Sequence, residues 1–357
     1  MKPFLFLSLS AILMAALSCT KAESPAPLPE PSPVPEVPCE TGTLYVSLET
    51  AATKASLSEQ DEKAVRCLQV FVFNAESGKR ETDKFVSGDN LSITSPVGQK
   101  HVWAIVNHDR FADITTEDEL KGTVTDLADN YTSASGIRLI MAGEKDVEVT
   151  QSNMQVSINV TRLAARIALS RVTRKFADTY LAAASFTIKD IYLKNVAGNT
   201  WFSLDKKNSG TEWDLPDPDL WYNQLRNSNT ASVSPLLGDY NLNIVCEEAT
   251  AKNIGRVWFT YPNPTSGDSN TSPFCARHTR LVVHAEVTGY GAGAIQTYYT
   301  FTLPTLKRNA SYEISDITFT MLGKDNDDDD SVTDTGTASI TLNVLSWDTA
   351  EALTFNR

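Results

Sequence analysis

The residues able to act as nucleophile, base or ligand are few and scattered in this chain of 357 residues. Gly267-Asp268-Ser269 sets a serine beside a carboxylate, as a serine nucleophile would require. It lies, however, in a Pro/Ser/Asn loop without the strand-turn-helix frame or the oxyanion glycines of such a site, so it reads as a turn. His101, His108, His278 and His284 stand apart, with no H-E-x-x-H and no paired C-x-x-C spacing that would hold zinc. His284, among apolar residues, reads as a packed strand histidine. Lys324-Asp325-Asn326-Asp327-Asp328-Asp329-Asp330 concentrates acid but lacks the spaced ligands, central glycine and terminal glutamate of a calcium loop. It reads as a solvated acidic hairpin loop. No glycine-rich phosphate cradle is visible. The expectation is a chain without catalytic residues, metal or cofactor, and not an enzyme.

The chemistry that is legible is done to the chain rather than by it. Lys2 is followed by the apolar run of residues 4–17, and Ala16-Leu17-Ser18 then leads into Cys19. That is a signal peptide too short for a comfortable membrane span, with a small-residue cleavage site ending in cysteine that resembles a bacterial lipobox. Cys19 is the expected lipidation site. Residues 20–38 hold seven prolines among Ala, Ser, Glu and Val, a composition that buries no core and extends as a tether. Leu44, Val46 and Leu48 then alternate with polar residues as a strand over 43–50. Residues 51–66 are small and polar, the kind of exposed loop that proteases cut, with Lys54, Lys63 and Arg66 open to a trypsin-like enzyme. Besides Cys19, the cysteines are Cys39, Cys67, Cys246 and Cys275; in an exported protein they could form disulfides, with Cys246 and Cys275 one candidate pair that spacing alone does not fix.

The elements that must carry these features are strands. Residues 67–74 are too continuously apolar for a half-exposed strand and read as a central one covered on both faces, as do 102–107 and 139–142. A short helix is expected around 114–127, with Thr115 or Thr116 as N-cap and acids in its first turn. Alternation over 147–149 and 154–169, and a second series from Phe186 to the tail, gives many short strands with turn signals between them, hence an all-β sandwich or barrel class. The length allows two domains, 39–177 and 178–357, with a long loop over 208–234. A net charge of −13 argues against nucleic acid or anionic lipid as partner.

The end of the chain is unusual. Ile340, Leu342 and Val344 share one face of a strand, after which Leu345, Trp347, Leu353 and Phe355 take the opposite parity. Chain ends normally fray, so this tail either closes its own sheet or completes that of another chain.

Four segments stand out together: the strand Arg162-Leu163-Ala164-Ala165-Arg166-Ile167-Ala168-Leu169, the strand Leu139-Ile140-Met141-Ala142, the strand entry Arg308-Asn309-Ala310-Ser311-Tyr312, and Val344-Leu345-Ser346-Trp347 near the end. In their chain order they resemble the Bacteroidetes fimbrillins, the type V pilus subunits to which the major and minor fimbrial proteins of Porphyromonas belong. The resemblance implies two tandem transthyretin-like β-sandwich domains. It also implies export as a lipoprotein to the outer membrane and cleavage by a trypsin-like protease, here between Lys54 and Ala55. Removal of the strand bearing Leu44, Val46 and Leu48 then lets the 346–357 segment of another fimbrial subunit fill the groove, with Leu345, Trp347, Leu353 and Phe355 as the donor residues. Where the family's protease prefers arginine, this loop offers Lys54, and Arg66 sits too close to the next strand. The implied partners are other copies, accessory tip and anchor subunits, and the maturation protease; the implied place is the outer membrane and the extracellular fimbrium. The rival expectations are a basal or tip subunit, and a lipid-anchored glycan-binding module using Trp213, Trp221 and Tyr222 as its aromatic platform.

Overall fold

The computed structural model describes residues 40–50, 62, 64–134, 136–203, 220–223, 234–265, 267–268, 276–327, 333 and 337–346. Cys19, the tether, Cys39, the Lys54-Ala55 bond, Trp213, Ser269, Cys275, Asp328 to Asp330, Trp347, Leu353 and Phe355 lie outside these residues.

The described chain is all-β. Its first half contains β1 (Thr41–Thr50), β2 (Cys67–Asn74), β3 (Arg80–Ser87), β4 (Asn90–Pro96), β5 (Gly98–Val106), β6 (Met141–Val149) and β7 (Met154–Arg162) in one sheet of order β3-β2-β5-β6-β7-β1-β4. Its outermost strands, β3 and β4, are nonetheless consecutive in the chain, joined by a turn at Gly88, which has φ +118°. The sheet must therefore curl on itself, and Lys84 Nζ donates to the Ser92 carbonyl (2.8 Å) across the closure. Inside the curl, Leu44 and Val46 pack with Leu68, Val70, Val72, Leu91, Ile93, Val102, Val156, Ile158 and Val160.

The unbroken apolar run of β2 has the reason expected for it. Leu68, Val70 and Val72 face this core, while Phe71 and Phe73 face a second one. That second core is roofed in part by α1 (Glu117–Lys121), whose N-cap Thr116 forms a capping box with Glu119. The buried Glu117 ties the helix down, accepting from Trp103 Nε1 (3.1 Å), Lys121 Nζ (2.8 Å) and the His101 ring (2.9 Å).

The second half contains β8 (Ala165–Arg174), β9 (Ser185–Lys194), β10 (Ala251–Thr260), β11 (Arg280–Thr288), β12 (Ile295–Thr302), β13 (Ala310–Phe319) and β14 (Ala338–Ser346). One sheet has the order β10-β8-β13-β14; the other places β9, β11 and β12 beside the short strand Gly238–Asp239. The pairing scheme repeats that of the first half. The opening strand runs parallel to the closing one (β1 with β7, β8 with β13) and antiparallel to a middle one (β4, then β10). Three antiparallel neighbours make the facing layer in each half: β2-β5-β6, then β9-β11-β12. β14 is the addition, lying antiparallel on the outer edge of β13.

Candidate functional site

The candidate site is the position held by β1. Along one side β1 runs parallel to β7, from Leu44 beside Met154 to Thr50 beside Val160; along the other it runs antiparallel to β4, with Leu44 opposite Ile93 and Val46 opposite Leu91. The period of two sends Leu44 and Val46 inward to complete burial, leaves Leu48 half-buried, and turns Tyr45 out, 40% exposed. The walls are Leu91, Ile93, Val156, Ile158 and Val160, all buried. A strand in this place has no edge of its own. Removing it would bare backbone donors and acceptors on both walls and an apolar floor, the setting in which a foreign strand adds.

Two features make the slot specific. At its entrance a Cβ on Gly42 would lie 1.9 Å from the Thr150 carbonyl oxygen, so the occupant must be small there. Moreover, β7 leans almost wholly on β1: its ladder to β6 consists of Thr161 beside Ala142 and Arg162 beside Met141. Of the lysines and arginine expected to invite a protease, Arg66 is tied down, its amide donating to Asn107 Oδ1 (2.8 Å) and its guanidinium to the Ile137 carbonyl (3.2 Å).

At the other end of the chain, β14 carries Leu345 52% exposed, opposite Ser311 of β13 in register. The strand-entry motif that precedes β13 is structural. Arg308 donates to the Trp201 carbonyl (3.0 Å) and Thr200 Oγ1 (3.2 Å), its burial pulling its pKa down to about 10, and Tyr312 donates to the Thr305 carbonyl (2.8 Å).

The other candidates resolve into structural roles. Asp268 accepts from the His278 amide (2.8 Å) and pairs with Arg280; burial pushes its carboxyl up, but these bonds hold it below its usual range. It locks a turn. His284 is a packed strand histidine, although its neighbours are polar rather than apolar: Asp190 Oδ2 at 2.6 Å, Gln296 Oε1 at 2.8 Å, and Tyr298 stacked at 4.4 Å. Strand alternation turns it to the face opposite Val283 and Ala285. The acidic run is partly anchored, with Asp327 accepting from Tyr192 (2.7 Å) and paired with Lys194 (3.2 Å). Among the described residues no group of His, Cys, Asp and Glu could hold a metal ion. Trp221 and Tyr222 are buried, at 0% and 3% exposure, so they cannot form the surface platform of a glycan site. Trp221 pairs with Ala197 in a short ladder, and Tyr222 donates to Asp126 (2.6 Å). Cys246 is buried, and Cys275, the other half of the candidate disulfide, lies outside the described residues.

What sequence reasoning missed is the wall itself. β4 offers only Leu91 and Ile93 in a polar stretch, and its one signal was their alternation between the turn glycines Gly88 and Gly98.

Comparison with known proteins places the family and the fold. Residues 42–171, which include β1, β4 and β7, match the family model described as major fimbrial subunit protein (FimA), so the resemblance to the fimbrillins holds there. Among solved structures, a candidate cell adhesion protein from Parabacteroides distasonis superposes with a TM-score of 0.59 at 17% identity, covering 87% of this chain and 98% of that one. A fimbrilin from Porphyromonas gingivalis W83 does so with a TM-score of 0.57 at 14% identity, covering 87% and 98%. A candidate cell adhesion protein from Bacteroides eggerthii gives 0.59 at 16% identity, covering 87% and 97%. At these identities the likeness is one of fold. No curated protein sequence matches the chain.

Proposed function

We propose that this chain, whose residues 42–171 match the major fimbrial subunit family, is a structural pilin polymerised by donor-strand exchange. It is exported as a lipoprotein through Cys19 and held at the outer membrane by its tether. A trypsin-like protease cuts it between Lys54 and Ala55; β1 leaves, and the tail of a second subunit takes the vacated slot, building an extracellular fimbrium that serves adhesion. The observation that carries this reading is the two-walled seat of β1, followed in the sequence by a stretch rich in small residues.

The register of the donor can be worked out. Seating Leu353 and Phe355 at the positions of Leu44 and Val46 buries both, at about 1.5 to 3 kcal/mol each, and continues with Arg357 at the half-buried position of Leu48. Glu351 would then fall where Gly42 meets Thr150, so the seated segment begins at Ala352. Leu345 and Trp347 lie upstream, on the chain crossing between subunits. Each subunit gives a tail and receives one, so the contact does not close on itself and a filament results. While β1 is in place, no tail can enter, which delays assembly until export is complete.

The test is deletion of residues 347–357. The truncated chain is expected to fold, to be processed, and to remain monomeric on a denaturing gel run without boiling; ladders from the truncated chain would refute the donor assignment.

A further inference from the structure

Glu62 is the described part of the 51–63 stretch, and it is buried, at 4% exposure, at the junction of the two halves. Its carbonyl oxygen accepts from Arg162 Nε (3.1 Å), at the last residue of β7, and its carboxylate pairs with Arg166 Nε (3.4 Å) near the start of β8. Arg166 also pairs with Glu313 of β13 and donates to Ser311 Oγ (3.1 Å). Two residues on, the Ala64 carbonyl accepts from Asn107 Nδ2 (2.8 Å), and Arg66 is bound as described above. The chain is thus fastened on both sides of Lys63. The fastening also sits at the end of β7, the strand that loses its long ladder when β1 departs. Burying this many charges for stability alone is a poor bargain, which directs attention to what the cluster holds in place.

We propose that Glu62 anchors the N-terminal segment of the matured subunit. This rests on the reading that the loop after β1 is cut. The anchor has two consequences. It confines the cut to the chain before Glu62, because a protease needs several residues in extended form, and those around Lys63 and Arg66 are fixed. It also holds the end of β7 through Arg162 once β1 has gone, so that the wall facing the incoming tail keeps its shape. Lys54 is then a usable site, and Lys63 and Arg66 are not.

The experiment is limited trypsin digestion of the full chain and of the variants Glu62→Ala and Glu62→Gln, with N-terminal sequencing of the large fragment over time. The wild type is expected to give a fragment starting at Ala55 and none starting at Ala64 or Cys67. Both variants are expected to release the Ala64 and Cys67 fragments roughly tenfold faster or more, as loss of a buried charge pair opens the segment. Glu62→Gln keeps the side-chain volume and covers the case in which Glu62→Ala does not fold. Wild-type cleavage after Lys63 or Arg66 as fast as after Lys54, or a Glu62→Gln pattern identical to wild type, would overturn the anchor. The digested chains are then mixed and run for ladders. A wild type with the expected fragments but no ladders would refute donor-strand exchange and leave the anchor standing. Ladders together with unchanged variant cleavage would do the reverse.

Discussion

Replacing Leu44 by alanine should weaken the unprocessed chain and leave the polymer untouched. Leu44 is fully buried between Ile93 and Met154, where truncation to alanine costs about 2 to 5 kcal/mol. With a urea slope of about 1 to 3 kcal/mol/M, this lowers the unfolding midpoint of the precursor by on the order of 1 M. Under the proposed exchange the assembled fimbrium lacks β1, and the same substitution should then shift urea-induced depolymerisation by nothing measurable. Ile93→Ala is the control, because Ile93 belongs to the wall and contacts whichever strand occupies the slot; it should weaken both forms. A weaker β1 also leaves more readily, so the Leu44→Ala chain should polymerise faster once cut. Leu44→Ala fibres that lose stability as the precursor does would show that β1 stays in its sheet, and the exchange argument would fail.

Other outcomes follow from the residues around the site. In Glu117, burial pushes the carboxyl up, but the bonds from Lys121, His101 and Trp103 outweigh it and hold its pKa below the usual value. A depressed carboxylate adds stability above its unfolded pKa of about 4.3, and that stability is lost as pH falls through the lower folded value. Glu117→Gln should therefore cost about 1 to 3 kcal/mol at neutral pH and flatten the acid limb of the stability profile, measured by urea unfolding from pH 7 to 3; an unchanged limb would count against the assignment. Burial raises the Cys246 thiol to about 11, so iodoacetamide at pH 8 should label it only in denaturant. Rapid labelling of the native chain at that residue would contradict the packing.

The sequence made the strands legible where one local pattern sufficed. Leu44-Tyr45-Val46 alternates because one face of β1 is covered, and residues 67–74 do not alternate because both faces of β2 are. Thr116 was one of two expected caps, and the structure selects it through Glu119. The parallel pairings were not legible. β1 meets β7 more than a hundred positions away, and nothing in Leu44 or Val156 encodes that partnership locally. β10 begins at Ala251, and its first residues carry polar side chains because they lie on the exposed outer strand of a sheet. Arg162 and Arg166 lie in an otherwise apolar strand series, yet they are buried and hold Glu62. Trp221 and Tyr222 sit beside a polar, proline-bearing stretch that reads as surface, yet both are packed inside. In each case the deciding contact is with a residue distant in sequence, which local composition does not record.

Donor-strand exchange requires that β1 leave and a neighbour's tail replace it. Intact mass and N-terminal sequencing of the protein taken from the cell surface test this most directly. Strand exchange predicts a chain beginning at Ala55, before Glu62 and without Leu44 or Val46. A surface protein that still begins at lipidated Cys19 and retains β1 would contradict it.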